Sequence, residues 1–197
     1  TYNTAVGRSA LTGNTTGAQN SAVGYQALNA NTTGDYNTAM GYGALYTATT
    51  PDQNTAIGYQ AMFYTTTGAD NTALGAYALV TNTTGARNVA LGYAAMHDNT
   101  TGSNNIAIGR IAGVGLTSGR NNIFLGEHAG GDYGGGSAEG NIIIGTQSGE
   151  KIDGDCNVLI GLQAGCSSCS GSSAYVCVDG GVGVVAVVDV VVVVVVV

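Results

Sequence analysis

Asparagine recurs at Asn3, Asn20, Asn37, Asn54, Asn71, Asn88, Asn105 and Asn122, always 17 residues apart, and then at Asn141 and Asn157 after steps of 19 and 16. Four residues after each stands a glycine: Gly7, Gly24, Gly41, Gly58, Gly75, Gly92, Gly109, Gly126, Gly145 and Gly161. The frame survives both changes of length, so ten units share it. An aliphatic residue precedes each glycine, from Val6, Val23 and Met40 through Ile108 to Ile144 and Ile160. Seven residues after each asparagine comes a small residue, alanine in every unit except at Ser148. The next position is leucine or methionine as far as Met96 and then becomes Gly113, Gly130, Gly149 and Gly165.

A period this short limits the fold severely. Helical-hairpin repeats need roughly 33 to 45 residues and propeller blades about 40 or more. Seventeen residues suit one coil of a β-solenoid, with two short strands and two turns. In Asn-x-Ala-Val-Gly the first and third residues after asparagine share one strand face. The glycines and the Asn-Thr-Thr-Gly runs supply turns, where positive φ is cheap for Gly and Asn. The expected fold is therefore all-β: a parallel β-roll, or β-solenoid, of about ten coils. At one inter-strand spacing per coil the rod is on the order of 48 Å long.

Composition supports a backbone-dominated fold. Glycine supplies 33 of 197 residues, charged residues 9 %, and there are two phenylalanines, one proline and no tryptophan. Five basic against 12 acidic residues leave a net charge of −7. That balance argues against a nucleic-acid partner, which needs cations to displace counterions, and against an anionic membrane surface. Low charge with moderate hydrophobicity also argues against disorder.

The strand changes along the chain. Early units read Asn-Thr-Ala-Val-Gly, while later ones read Asn-Ile-Phe-Leu-Gly, Asn-Ile-Ile-Ile-Gly and Asn-Val-Leu-Ile-Gly. Strands apolar on both faces are buried on both faces. A coil this thin cannot bury both by itself, so the second face is expected to meet another chain.

The tandem motif Asn-x-Ala-Ile/Val-Gly-x-x-Ala, clearest at Asn54–Gly58 and Asn105–Gly109, resembles the head repeats of YadA-type trimeric autotransporter adhesins. The run from Asn20 to Gly34 also resembles repeats in long phage tail fibres. The resemblance covers residues 1–166. It implies a left-handed parallel β-roll with three chains side by side, hence a homotrimer, and a setting on a virion or cell surface. The longer coil leans toward the fibre. Neither a coiled-coil stalk and anchor nor a C-terminal chaperone is visible, so the chain reads as an internal piece of something longer.

Residues 167–197 read as an irregular terminal segment. Its valine run suggests a membrane helix, but from Val184 it has only 14 residues, is interrupted by Asp189 and is built from a mediocre helix former. The plainer reading is placeholder lettering at a chain end, which also removes weight from Cys166, Cys169 and Cys177. Cys166-Ser167-Ser168-Cys169, flanked by Cys156, fits no common zinc spacing, and no metal or other cofactor is expected.

Other candidates have bland alternatives. His97 and His128 occupy different repeat positions, as surface or turn residues do, and nothing arranges a nucleophilic triad around them. The late acids Glu127, Asp132, Glu139, Glu150, Asp153 and Asp155 could form a glycosidase pair, and Asp153-Gly154-Asp155 a weak calcium loop, but solvated turns account for them. Tyr25, Tyr42, Tyr59 and Tyr93 share one repeat position and could stack on sugars; alternatively they pack on neighbouring coils with their hydroxyls wet. Asn14, Asn31, Asn82 and Asn99 match glycosylation acceptors by accident of the turn. The adjoining Thr-Thr pairs invite an ice-binding reading, but they sit in turns rather than on alternate strand positions.

The function expected is a non-enzymatic structural and adhesive fibre segment, a trimeric rod facing a surface glycan or protein receptor. Asn20, Gly24, Asn37, Gly41, Asn54, Gly58, Ile108, Gly109, Ile144 and Gly145 would serve as its turn and ladder residues. The alternatives are a polysaccharide-degrading spike, with two carboxylates in a cleft between Glu127 and Asp155, and a self-assembling extracellular filament.

Overall fold

The computed structural model describes residues 2–131, 136–150, 154–165 and the strand at 176–178. The chain is a β-solenoid, with no helix among the described residues. Ten strands mark successive coils: β1 (Thr4–Val6), β2 (Ser21–Val23), β3 (Thr38–Met40), β4 (Thr55–Ile57), β5 (Thr72–Leu74), β6 (Val89–Leu91), β7 (Ile106–Ile108), β8 (Ile123–Leu125), β9 (Ile142–Ile144) and β10 (Val158–Ile160). β11 (Val176–Val178) pairs with β10 and lies within the segment read as irregular. All pair in parallel, in chain order, in one sheet. Equivalent residues are partners, as in Ala22↔Ala39 and Ala39↔Ala56, and the register holds across the coils of changed length.

Among the described residues each coil has one three-residue strand, where the sequence suggested two. The remainder is a chain of turns whose amides still bond to the next coil, as in Leu28 N–H to Ala44 O at 3.0 Å and Thr32 N–H to Thr49 O at 2.8 Å. Left-handed backbone explains why this wall is not a strand. Leu28, Leu45, Met62, Leu79 and Met96 have φ between 48° and 53°, and Gln26, Gln60 and the residue before each ladder asparagine (Gln53, Asp70, Arg87) are similar. Left-handed φ costs an L-residue about 1–2 kcal/mol. Side-chain burial and coil-to-coil hydrogen bonds offset it.

The glycines do two different jobs. The glycine ending each strand has φ of 125° to 141°, which L side chains rarely adopt, and a Cβ on Gly58 would lie 2.5 Å from Gly75 O. The glycine closing each coil has no positive φ; at Gly34 a Cβ would collide with the Pro51 carbonyl. The Asn of Asn-Thr-Thr-Gly has no positive φ either. Close approach between coils is what requires glycine there.

Inside the coil run parallel columns of equivalent residues. The ladder asparagines are buried from Asn20 to Asn157. Asn71 Oδ1 accepts the Asn88 backbone N–H at 3.0 Å, and Asn71 Nδ2 donates to Gly85 O at 2.9 Å, closing its own coil. The middle strand residue, Ala22 through Ala107, then Phe124, Ile143 and Leu159, is fully buried. Facing it are the alanine column and the Leu/Met column.

These apolar columns exchange volume. Where the strand carries alanine, from Ala22 to Ala90, the far wall carries Leu28, Leu45, Met62, Leu79 or Met96, all fully buried; beside Ala107 it is already Gly113, which faces Phe124 of the next coil. Where the strand carries Phe124 or Ile143, the far wall is glycine. A Cβ on Gly113 would lie 2.8 Å from Phe124 Cδ2, one on Gly149 2.7 Å from Ile143 Cδ1, and one on Gly130 would overlap the Phe124 ring. The leucine-to-glycine change seen in the sequence is therefore the complement of the strand's alanine-to-large change, as close packing demands.

Two outcomes test this account by denaturant unfolding. Asn71→Ala orphans the Asn88 N–H and removes one of the two amide donors to the Gly85 carbonyl, the other being Asn82 Nδ2, and should cost about 2–4 kcal/mol. Phe124→Ala should cost about 3–5 kcal/mol. Adding Gly130→Leu, at a φ of 60° where other coils carry leucine, should restore about 1–3 kcal/mol, a non-additivity expected only of residues filling one space.

Candidate functional site: the outer sheet face and the tyrosine column

Since the middle strand residue points inward, its two neighbours point out. The outer face carries Thr4, Ser21, Thr38, Thr55 and Thr72 in one column, changing to Val89, Ile106, Ile123, Ile142 and Val158. Beside it runs the aliphatic column from Val6 to Ile160, including Ile108 and Ile144. No charged residue enters either column in ten coils. Val6 is 57 % exposed, Leu74 48 % and Ile108 41 %. Ile108 and Ile144 are thus surface ladder residues, while the core is made elsewhere.

One residue past each strand-ending glycine comes the tyrosine column, at the border of this face. The Tyr25 and Tyr42 ring centroids lie 5.1 Å apart with planes 21° from parallel, and Tyr42 and Tyr59 lie 5.2 Å apart at 16°. The Arg8 guanidinium sits 5.9 Å from the Tyr25 centroid. Ala76 interrupts the column, and Tyr77 fills the gap with edge-on contacts to Tyr59 at 5.3 Å and Tyr93 at 5.9 Å. The rings are exposed, but the stacked faces are occupied by each other. What Tyr42 presents outward is its ring edge and phenol. Tyr77 is a member that the repeat position alone misses; the signal was a tyrosine beside the one alanine in the column. Desolvation pushes the Tyr77 phenol above its usual range, with smaller contributions from Tyr59 and Tyr93. Tyr46 stacks on Phe63 at 4.8 Å in a second, separate pair.

The remaining candidates are dispersed. Glu127 pairs with Arg110 at 2.5 Å, and Asp155 Oδ1 accepts the Glu139 N–H at 2.7 Å. His128 Nδ1 lies 3.0 Å from Glu150 Oε1 without the alignment of a hydrogen bond. His97 pairs with its neighbour Asp98 at 2.6 Å. Asp132 and Asp153 fall outside the described residues, as do Cys166 and Cys169; Cys177 lies in β11, and Cys156 is a free, exposed thiol. Among the described residues no three His, Cys, Asp or Glu side chains group to hold a metal, and no helix is long and apolar enough to cross a membrane.

Asn31, Asn82 and Asn99 are fully buried, which closes those acceptor sequences in the folded chain. The first threonine of each following pair donates its hydroxyl to the next coil's carbonyl, as in Thr83 Oγ1 to Thr100 O at 3.0 Å. The threonines on alternate strand positions are instead Thr38, Thr55 and Thr72.

The tyrosine geometry sets a pH dependence. An unfolded chain releases its phenol protons near the ordinary tyrosine value of 10.0, and folded Tyr77 releases its proton later. Its contribution to stability is therefore complete below that pH and is lost as pH rises through the folded value. In an alkaline titration followed by phenolate absorbance, Tyr77→Phe should remove a component that titrates above the ordinary tyrosine range and flatten the alkaline loss of stability.

Comparison of the chain with protein-family models, curated proteins and solved structures gave no match.

Proposed function

We propose that this chain is a segment of a structural, adhesive fibre: a homotrimer of solenoid rods, packed through the outer sheet faces, on a virion or cell surface. The observation that carries this reading is the uncharged outer face, continuous through ten coils and dominated by aliphatic side chains from β6 onward. Extended apolar patches on soluble proteins mark interaction surfaces. A stripe repeating once per coil is matched along its length by a rod of the same pitch, and a second copy of the chain has that pitch. Three copies, rather than two, follow from the resemblance to trimeric adhesin heads and tail fibres.

In this reading the work is mechanical and multivalent, with no catalysis. Ladders of backbone and asparagine hydrogen bonds stiffen the rod. The tyrosine edges and phenols bordering the seam, around Tyr25, Tyr42, Tyr59 and Tyr93, face a surface glycan or protein receptor. Three parallel copies of a weak contact raise avidity without any new contact.

Light scattering on the native protein should give three chain masses; a monomer at micromolar concentration would overturn the proposal. Ile106→Asp with Ile142→Asp places charge in the seam but outside the coil. It should shift the mass to one chain while the β-sheet circular dichroism is retained.

A further inference from the structure

We propose that Tyr25, Tyr42 and Tyr59 form an oxidative cross-linking site, at which a peroxide-driven one-electron oxidant joins consecutive coils through dityrosine bonds. The site goes beyond the fibre reading and does not depend on the number of chains. It rests on the geometry of three phenols held on a rigid ladder. Their ring centroids are 5.1 and 5.2 Å apart, their planes lie within 21° of parallel, and the three residues are 38 %, 45 % and 45 % exposed. The strands below them pair residue for residue, Ser21↔Thr38 and Thr38↔Thr55, so the rings stay in register.

The chemistry needs only this apposition and an oxidant. A haem peroxidase with hydrogen peroxide takes one electron and one proton from each of two phenols, leaving two phenoxyl radicals. Spin density on a phenoxyl resides partly on the ring carbons ortho to oxygen. Two such carbons on stacked rings meet face to face and form one carbon–carbon bond. The hydrogen on each joined carbon then moves to its own oxygen and restores both phenols. Two hydrogen atoms have left the protein, and one peroxide has become two waters. Radicals on freely diffusing chains couple between molecules; radicals on neighbouring coils have a partner already in place, the advantage of proximity and orientation.

The molecule carries its own controls. Tyr59 and Tyr77 are nearly as close, at 5.3 Å, but their planes cross at 72°; Tyr77 and Tyr93, 5.9 Å apart, cross at 84°. An edge-on pair does not lay ortho carbon over ortho carbon. Tyr46 is stacked at 4.8 Å, but on Phe63, which has no phenol. Selectivity should therefore follow ring orientation. The product is a covalent staple across 17-residue loops, in a region of the chain without cysteine.

The test treats the native full chain with a haem peroxidase and hydrogen peroxide. Dityrosine fluorescence is recorded, and the product is cleaved on the N-terminal side of aspartate. Cuts at Asp35, Asp52, Asp70 and Asp98 place Tyr25, Tyr42 and Tyr59 in three different peptides and Tyr77 with Tyr93 in a fourth. The expected products are Tyr25–Tyr42 and Tyr42–Tyr59 links within one chain, each short of two hydrogens by mass spectrometry. Tyr42→Phe keeps the stack but removes the shared phenol, so dityrosine fluorescence should fall several-fold; Tyr93→Phe should leave it unchanged. Urea-unfolded chain should lose the selectivity. Absence of these links, equal yield at Tyr59–Tyr77, links only between chains, or an unchanged signal in Tyr42→Phe would each overturn the proposal.

Discussion

A buried primary amide repeated once per coil holds this structure together. Asparagine is suited to the place because its side chain imitates a peptide group, with an acceptor and two donors at short reach. In Asn88 the oxygen accepts the Asn105 backbone N–H at 3.0 Å, and the nitrogen spans to Gly102 O at 2.8 Å on the opposite side of the same coil. One buried residue thus satisfies backbone groups of two coils. Buried polar groups are costly unless paired, and the ladder pairs them. A second column begins at Asn14 and Asn31, gives way to Ala48 and Thr65, and returns at Asn82 and Asn99 before Leu116 ends it. Its interruptions leave Thr65 Oγ1 and Asn99 Oδ1 without partners, and the fold tolerates that because the first column is unbroken.

Around this spine the backbone carries an unusual amount of left-handed conformation on ordinary side chains. Such residues normally signal strain that the surroundings overdetermine. Here the surroundings are the preceding and following coils, which hold the same residue in the same conformation. Leu45 stays at φ 52° because Leu28 and Met62 do likewise at 48° and 53°, and all three are buried. The strain is shared along the rod, and so is its compensation.

The period and the parallel solenoid were legible because they follow from spacing alone. The replacement of the expected second strand by turns was not, since Leu28, Leu45 and Met62 do not announce positive φ by residue type. Nor did the sequence distinguish which aliphatic column lies inside: Ile57 and Met62 look equally eligible, and only the strand direction sends the former outward. For the candidate site, the repeat position placed Tyr25, Tyr42 and Tyr59 together. That their faces would close on one another required ring orientations, which spacing does not carry. Tyr77 was hidden because it enters the column from the neighbouring position.

The two departures from 17 residues fall between Asn122 and Asn141 and between Asn141 and Asn157, yet β8, β9 and β10 pair without a slip. Length is therefore tolerated on the turn side of the coil and refused on the strand side. Because each coil bonds to its immediate neighbours, stability accumulates roughly as a sum over adjacent pairs. The molecule behaves as a ruler: adding or deleting one frame changes its reach by one inter-strand step, about 4.8 Å, while the turn side of any coil can be lengthened without altering the graduation.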